Sequence, residues 1–441
     1  MNEVIRYEDK LIEQIETDRI SRERSSQHIA TAFITTGILF MLLPGTFLGV
    51  WNLISIAHAR EPGGLSPAWL QAHGHAQLFG WVGSFIIGVG FYSLTKVQST
   101  LHFPIRSGWC AWALWTTGIS LRWCAGVSLW HWRLLLPVSA VLELVAFSMF
   151  AYSVRRHQGN QSRSPLETWM RSVIVATFGF AVALIVNCFT SIHSAAYAGT
   201  PAISHVLDQQ YLVLVIWGVI VPMIWGFNAR WLPIFAGFQA PDGRALLAAH
   251  GFSAVGIVVV FLQWWGIAAV CLLLASFLSV HALRIWDRPD HPPKLLHIHR
   301  SFVMFVQAAY VWLIASCLLF VFAATSDRHG GIWGASRHAL TVGFIAGMIF
   351  VIAPRILPAF CGMRILWSTR LMFWSLLLLH IGCAMRVIAE PLAYENILVS
   401  AWRWLPASAY LELGAITLFA VNLGVTLLLP PAHLRARASA L

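Results

Sequence analysis

The stretch His73-Gly-His75-Ala-Gln-Leu-Phe-Gly80 opens an apolar run that continues to about Leu94. Such a run is long enough to cross ~30 Å of hydrocarbon as a helix. Two imidazoles at its head are costly beside lipid unless something pairs or ligates them. A shorter echo, His338-Ala-Leu-Thr-Val-Gly343, opens a similar run near the other end of the chain. Between and around them apolar runs recur along all 441 residues, 58% of which are hydrophobic and 11% charged. Mean hydropathy is +0.70. Barrel strands would alternate polar and apolar residues over only about 10 positions, so the chain reads as an all-α, polytopic membrane protein whose first partner is the lipid bilayer.

Residues 1–27 mix Glu3, Glu8, Glu13 and Glu16 with Arg6, Lys10 and Arg19, without the basic start or small-residue cleavage site of a signal peptide. They read as an N-terminal tail, 28–430 as a transmembrane domain and 431–441 as a second tail. Twelve spans are expected, near 28–55, 69–94, 107–129, 132–154, 168–198, 208–236, 244–263, 265–286, 299–325, 335–358, 366–390 and 405–430. The loops after even-numbered spans hold Lys96, Arg106, Arg155, Arg156, Arg163, Arg244, Arg288, Lys294, Arg364 and Arg370. Basic loops stay cytoplasmic, so a bacterial inner membrane topology with both termini cytoplasmic follows, and His73, His75 and His338 sit at the outer ends of their helices. The net charge of +11 belongs to those loops, and no basic–aromatic stripe points to nucleic acid. The seven cysteines are scattered with no Cys-x-x-Cys, which excludes iron–sulfur, thiol-redox and covalent c-type haem motifs.

An internal repeat runs through the chain. Ala229-Arg-Trp-Leu-Pro-Ile-Phe-Ala-Gly237 ends span six, and Pro354-Arg-Ile-Leu-Pro-Ala-Phe-Cys-Gly362 ends span ten. In one register Gly80, Gly218 and Gly343 share a column, with Ser84, Pro222 and Gly347 one turn later. Close helix packing through small residues explains the glycines equally well. The histidine column and the Arg-x-x-Pro-x-Phe repeat imply three groups of four helices.

Of the 18 histidines, six gather at one depth in the outer half of the membrane by this topology: His73, His75, His193, His205, His338 and His380. Imidazole is the common ligand of copper and haem iron, and two histidines on facing helices suit a six-coordinate haem. The repeat makes His75 and His338 the axial pair of a haem b. His73 lies roughly 200° around the helix from His75 and faces a second site or a backbone carbonyl. His73, His193, His205 and His380 are the candidate ligands of a separate metal, with copper the ion in mind. Arg122 and Arg386 lie deep enough to pair with haem propionates, or else snorkel to the interface. Glu143 and Asp208 are the acidic residues placed to relay protons or pair with these groups. No catalytic residue stands out.

His73-x-His75-x-x-Leu78-Phe79-Gly80 resembles the opening His-x-His-Glu-x-Leu-Phe-Gly motif of the NnrS family, with Ala76 in place of its Glu. Arg230-x-x-Pro233-x-Phe235 is similar to that family's mid-chain motif. His338-Ala-Leu-Thr-x-Gly343, followed by Met348 and Arg355, is similar to its His-Ala-Leu-Thr-x-Gly…Met…Arg stretch. The resemblance implies a membrane protein that binds haem and copper and is linked to nitric oxide, denitrification or associated electron transfer. The three-by-four pattern also resembles the large subunit of the haem–copper oxidases, where a bis-histidine haem joins spans two and ten. Ser336 stands where that family has a further histidine, so its binuclear centre is not implied here. Two other readings compete: a transporter for a metal or haem with an outer histidine entry site, and a non-catalytic subunit of a respiratory complex.

Overall fold

The computed structural model describes residues 2–61, 65–97, 105–157, 166–295, 297–362 and 365–429. The second tail, Arg163 and Arg364 lie outside the described residues. Twelve helices follow one another: α1 (2–59), α2 (67–97), α3 (Ile105–Val127), α4 (Trp132–His157), α5 (Thr168–Tyr197), α6 (His205–Phe235), α7 (Gly243–Phe261), α8 (Trp265–Ala282), α9 (Phe302–Ser326), α10 (Gly331–Phe360), α11 (Thr369–Tyr394) and α12 (Ala401–Leu428). Eleven of them are long and apolar enough to cross a membrane. The exception is α3, whose 23 residues include Arg106, Arg122 and several Thr, Ser and Gly that lower its hydropathy. Helix α1 starts at residue 2 rather than near 28, so the expected N-terminal tail continues the first span as helix.

The surface is that of a protein in lipid. Phe178, Phe189 and Val258 face outward with 71%, 71% and 60% of their area exposed, whereas Glu143, Arg122 and Asn187 are buried. Helices apolar all round need no water to drive them together, so close approach and internal polar bonds decide the packing. The link between α3 and α4 is tight, with Leu129 and His131 at positive φ. The link between α7 and α8 turns at Gln263, also at positive φ.

The threefold repeat appears in the packing. Helices α2, α6 and α10 each widen into π-helical turns, at Ala76–Gly83, Ile216–Ile220 and Ala339–Ala346. Each segment holds one of the column glycines, Gly80, Gly218 or Gly343. Helix α5 meets this column so closely that a Cβ on Gly179 would sit on the Gly218 carbonyl oxygen. A second set of glycines joins the next two helices of each group. A Cβ on Gly118 (α3) would lie 2.9 Å from Glu143 Cγ and 3.0 Å from the Ser139 carbonyl of α4. On Gly382 (α11) it would lie 2.8 Å from Glu412 Cγ and 3.2 Å from the Ser408 carbonyl of α12. On Gly256 (α7) the neighbours are Leu272 at 2.7 Å and the Ala268 carbonyl of α8 at 3.6 Å. Gly118, Gly256 and Gly382 are therefore equivalent, and so are Glu143, Leu272 and Glu412.

Candidate functional site: two histidine–carboxylate couples

His75 ends the α-helical start of α2, and the π-helical segment begins at the next residue. His338 does the same in α10. Such widened turns recur at functional sites because they re-aim the side chains beside them. His75 Nε2 lies 3.0 Å from Glu143 Oε1, with both side chains closed off from solvent. The second carboxylate oxygen accepts from Asn187 Nδ2 at 3.4 Å. The imidazole stacks on Phe79, with centroids 4.6 Å apart, and Phe79 in turn packs on Trp115, Phe180 and Tyr211.

His338 Nε2 lies 2.7 Å from Glu412 Oε1, and this couple is more open, at 21% and 12% side-chain exposure. In the first and last groups an arginine stands four residues beyond the contact glycine, Gly118 or Gly382. Arg122 Nη1 donates to Ser191 Oγ at 2.7 Å. Arg386 Nε lies 3.0 Å from Glu390 Oε2, off the line of a hydrogen bond. Each outer group thus holds one histidine, one carboxylate and one arginine around one glycine. In the middle group the same places belong to Val213, Leu272 and Val260. There Val260 and Ala268 form a small apolar cluster against which Val213 packs.

His73 faces away from His75, as its position on the helix requires. Its Nδ1 lies 2.8 Å from the Gly45 carbonyl of α1, and its ring occupies the space a side chain on Gly49 would need. A carbonyl only accepts, so Nδ1 carries the hydrogen and the lone pair stands on Nε2. The charges of His338, Glu412 and Arg386 act on His73 through space. Helix α2 thereby carries one histidine into its own group and a second one against α1.

The six histidines do not gather at one depth. His193 and His205 are exposed, and the His193 ring lies against Phe189 and Tyr197. His380 lies beside Gly347, nine residues beyond His338 along α10 and so roughly 13 Å deeper. Its Nδ1 accepts from Trp312 Nε1 at 2.9 Å and its ring stacks on Phe305. An indole N–H only donates, which puts the His380 hydrogen on Nε2. That nitrogen is buried without a partner among the described residues.

A haem shared between His75 and His338 does not fit this arrangement, because the ε-nitrogens that would bind iron are both engaged by carboxylates. An imidazole whose far nitrogen is fixed by a carboxylate or carbonyl does fit the donor chemistry of a single metal ion. Among the described residues, no three His, Cys, Asp or Glu side chains converge as a ready-made metal cage.

Glu412 and Glu390 were not among the residues the sequence reading singled out. The missed signal is a repeat: Leu136-Pro-x-Ser-Ala-x-Leu-Glu143-Leu144 recurs as Leu405-Pro-x-Ser-Ala-x-Leu-Glu412-Leu413, identical at seven of nine positions. Gly118-x-x-x-Arg122 likewise recurs as Gly382-x-x-x-Arg386. Asp208 stands beside Gln209, whose Nε2 donates to it at 3.4 Å while its Oε1 accepts from Arg337 Nη1 at 2.9 Å.

A search of curated proteins finds no match to this chain. The family described as NnrS protein matches residues 31–430, which takes in every helix from the first histidine-bearing span to the last carboxylate. The chain belongs to the NnrS family.

Proposed function

We propose that this NnrS-family protein binds a redox metal, copper above all, at His73, with the charges of the His338–Glu412 couple acting on it. In this reading it serves nitric oxide handling, or electron transfer linked to it, in a bacterial inner membrane with both termini cytoplasmic. The observation that carries the reading is the tautomer of His73. Its Nδ1–H is spent on the Gly45 carbonyl, which leaves Nε2 as a bare donor on which the charges of the His338–Glu412 pair act. Orientation of a ligating histidine through its far nitrogen is the usual support of such a site. The metal, when bound, supplies one-electron chemistry toward a small oxide of nitrogen. The chain's own groups do the rest. Glu412 holds the His338 ring in place, Glu390 offsets the Arg386 charge, and the stacked rings around Phe79 keep water from the neighbouring His75–Glu143 couple. A haem b on His75 and His338 would require both rings to leave their carboxylates.

The test is metal analysis and paramagnetic resonance of purified protein after copper loading, with a pyridine-haemochrome spectrum alongside. About one copper per chain is expected, with nitrogen hyperfine coupling. His73→Ala should weaken binding at least tenfold, the scale seen when an oriented ligand or its support is lost, while His193→Ala leaves it intact. Copper retained in full by His73→Ala overturns the reading. A low-spin haem lost in both His75→Ala and His338→Ala would put haem in its place.

A further inference from the structure

The inner halves of α2, α6 and α10 line a half-open apolar pocket with a cavity volume of about 100 Å³. Its wall repeats the threefold register: Phe85, Met223 and Met348 form one tier, and Ile86, Ile224 and Ile349 the next. The lining is apolar except for Asn228, whose Nδ2 is spent on Tyr310 Oη at 2.7 Å. Beyond the cavity lies the Arg-x-x-Pro-x-Phe repeat. Arg355 sits over the Phe235 ring at 4.6 Å, Phe235 stacks on Trp231 at 5.1 Å, and Phe360 stacks on Tyr92 at 4.7 Å. The repeated motif thus builds an aromatic floor with a guanidinium laid across it.

We infer that this cavity is a holding site for one small, uncharged, apolar molecule of the size of a diatomic gas. A buried water needs two to four polar partners, and apolar cavities of about 150 Å³ stay dry while taking up benzene or xenon. Here the wall is apolar apart from Asn228, too few polar groups to hold a water, and the volume is too small for more than a short piece of acyl chain. A charged or hydrogen-bonding ligand would lose its solvation with nothing in return. The cavity's chemistry stands independently of the metal reading. The identity of its physiological occupant, nitric oxide, rests on that reading. Three equivalent helices meeting at one axis leave a void wherever their side chains fall short of closing it, and the thioethers of Met223 and Met348 adapt to whatever enters.

Xenon is the probe, used on the whole protein in detergent or nanodiscs. Saturable xenon binding by magnetic resonance is expected, together with a single anomalous xenon peak between Met223 and Met348 in pressurised crystals. Ile224→Phe, which fills the cavity, should cut occupancy at least fivefold, and Met348→Ala, which enlarges it, should raise occupancy. Either variant suffices if the other fails to fold. His73→Ala should leave xenon binding unchanged, and Ile224→Phe should leave copper content unchanged, so failure of one inference is separable from failure of the other. Ordered water or a lipid chain in the cavity, or occupancy indifferent to both cavity variants, overturns the proposal.

Discussion

The His75–Glu143 and His338–Glu412 couples have the same three-residue plan, the same glycine contact between helices and the same π-helical start. They differ in access and in company. The first couple is sealed by Phe79, Trp115 and Phe180, and Asn187 shares its carboxylate. The second is partly open, has Glu390 where the first group has Gly126, and its charges act on His73 from another group. One plan thus yields a sealed pair and an accessible one. A buried ion-pairing couple adds little net stability but is costly to break, so the sealed copy reads as structural and the accessible copy as the place for a ligand. The middle group supplies the control, because Val213, Val260 and Leu272 keep the packing without any polar group.

The widest separation between the copies should come from deleting the histidines. His75→Leu leaves the Glu143 carboxylate buried with Asn187 alone and should cost about 3 to 5 kcal/mol, read as a large fall in the unfolding midpoint in detergent. His338→Leu, at a couple that water can reach, should cost about 1 kcal/mol. Equal losses would erase the distinction drawn here.

Next in size are the helix contacts. Gly118→Ala and Gly382→Ala each drive a methyl into a glutamate Cγ and a backbone carbonyl, and each should lose about 1 to 3 kcal/mol. The Gly118 change should be worse, since its Cβ would come closer to the facing carbonyl, 3.0 Å against 3.2 Å. Thermal unfolding of both variants checks the order.

The control can be turned into a third copy. Val213→His and Leu272→Glu should each destabilise, and together they should recover about 0.5 to 3 kcal/mol of coupling if the two positions match those of His75 and Glu143. Strict additivity in that double-mutant cycle would break the equivalence.

The smallest effect lies outside the membrane. Hydrogen bonds from His329 hold the Glu395 carboxyl below its ordinary range. A depressed carboxylate stabilises the fold above its unfolded pKa, and that contribution fades as pH falls through the folded value. Glu395→Gln should therefore lower stability slightly at neutral pH, leave the acid end of a stability–pH curve nearly unchanged and flatten the slope between them.

Much of this was legible in the chain. Apolar runs dictate helices across lipid, because no other backbone arrangement but a closed barrel satisfies its polar groups there. The His75/His338 register and the glycine column located the pseudo-symmetry. The angular step between His73 and His75 predicted that they part company, and His73 indeed finds the backbone carbonyl of Gly45. The Leu-Pro-x-Ser-Ala-x-Leu-Glu-Leu repeat was equally readable in the sequence, and with it Glu412. What periodicity does not carry is the partner of each polar group. Which nitrogen of His380 holds its hydrogen depends on Trp312. Which charges act on His73 depends on where packing places α10, α11 and α12 relative to α2. The engagement of His75 and His338 by separate carboxylates is likewise a matter of helix rotation. Hydropathy and spacing determined what spans the membrane and which positions repeat. Only the packing decided which repeated site is sealed, which is open and which has been emptied, because those depend on how helices turn toward one another at contact distance.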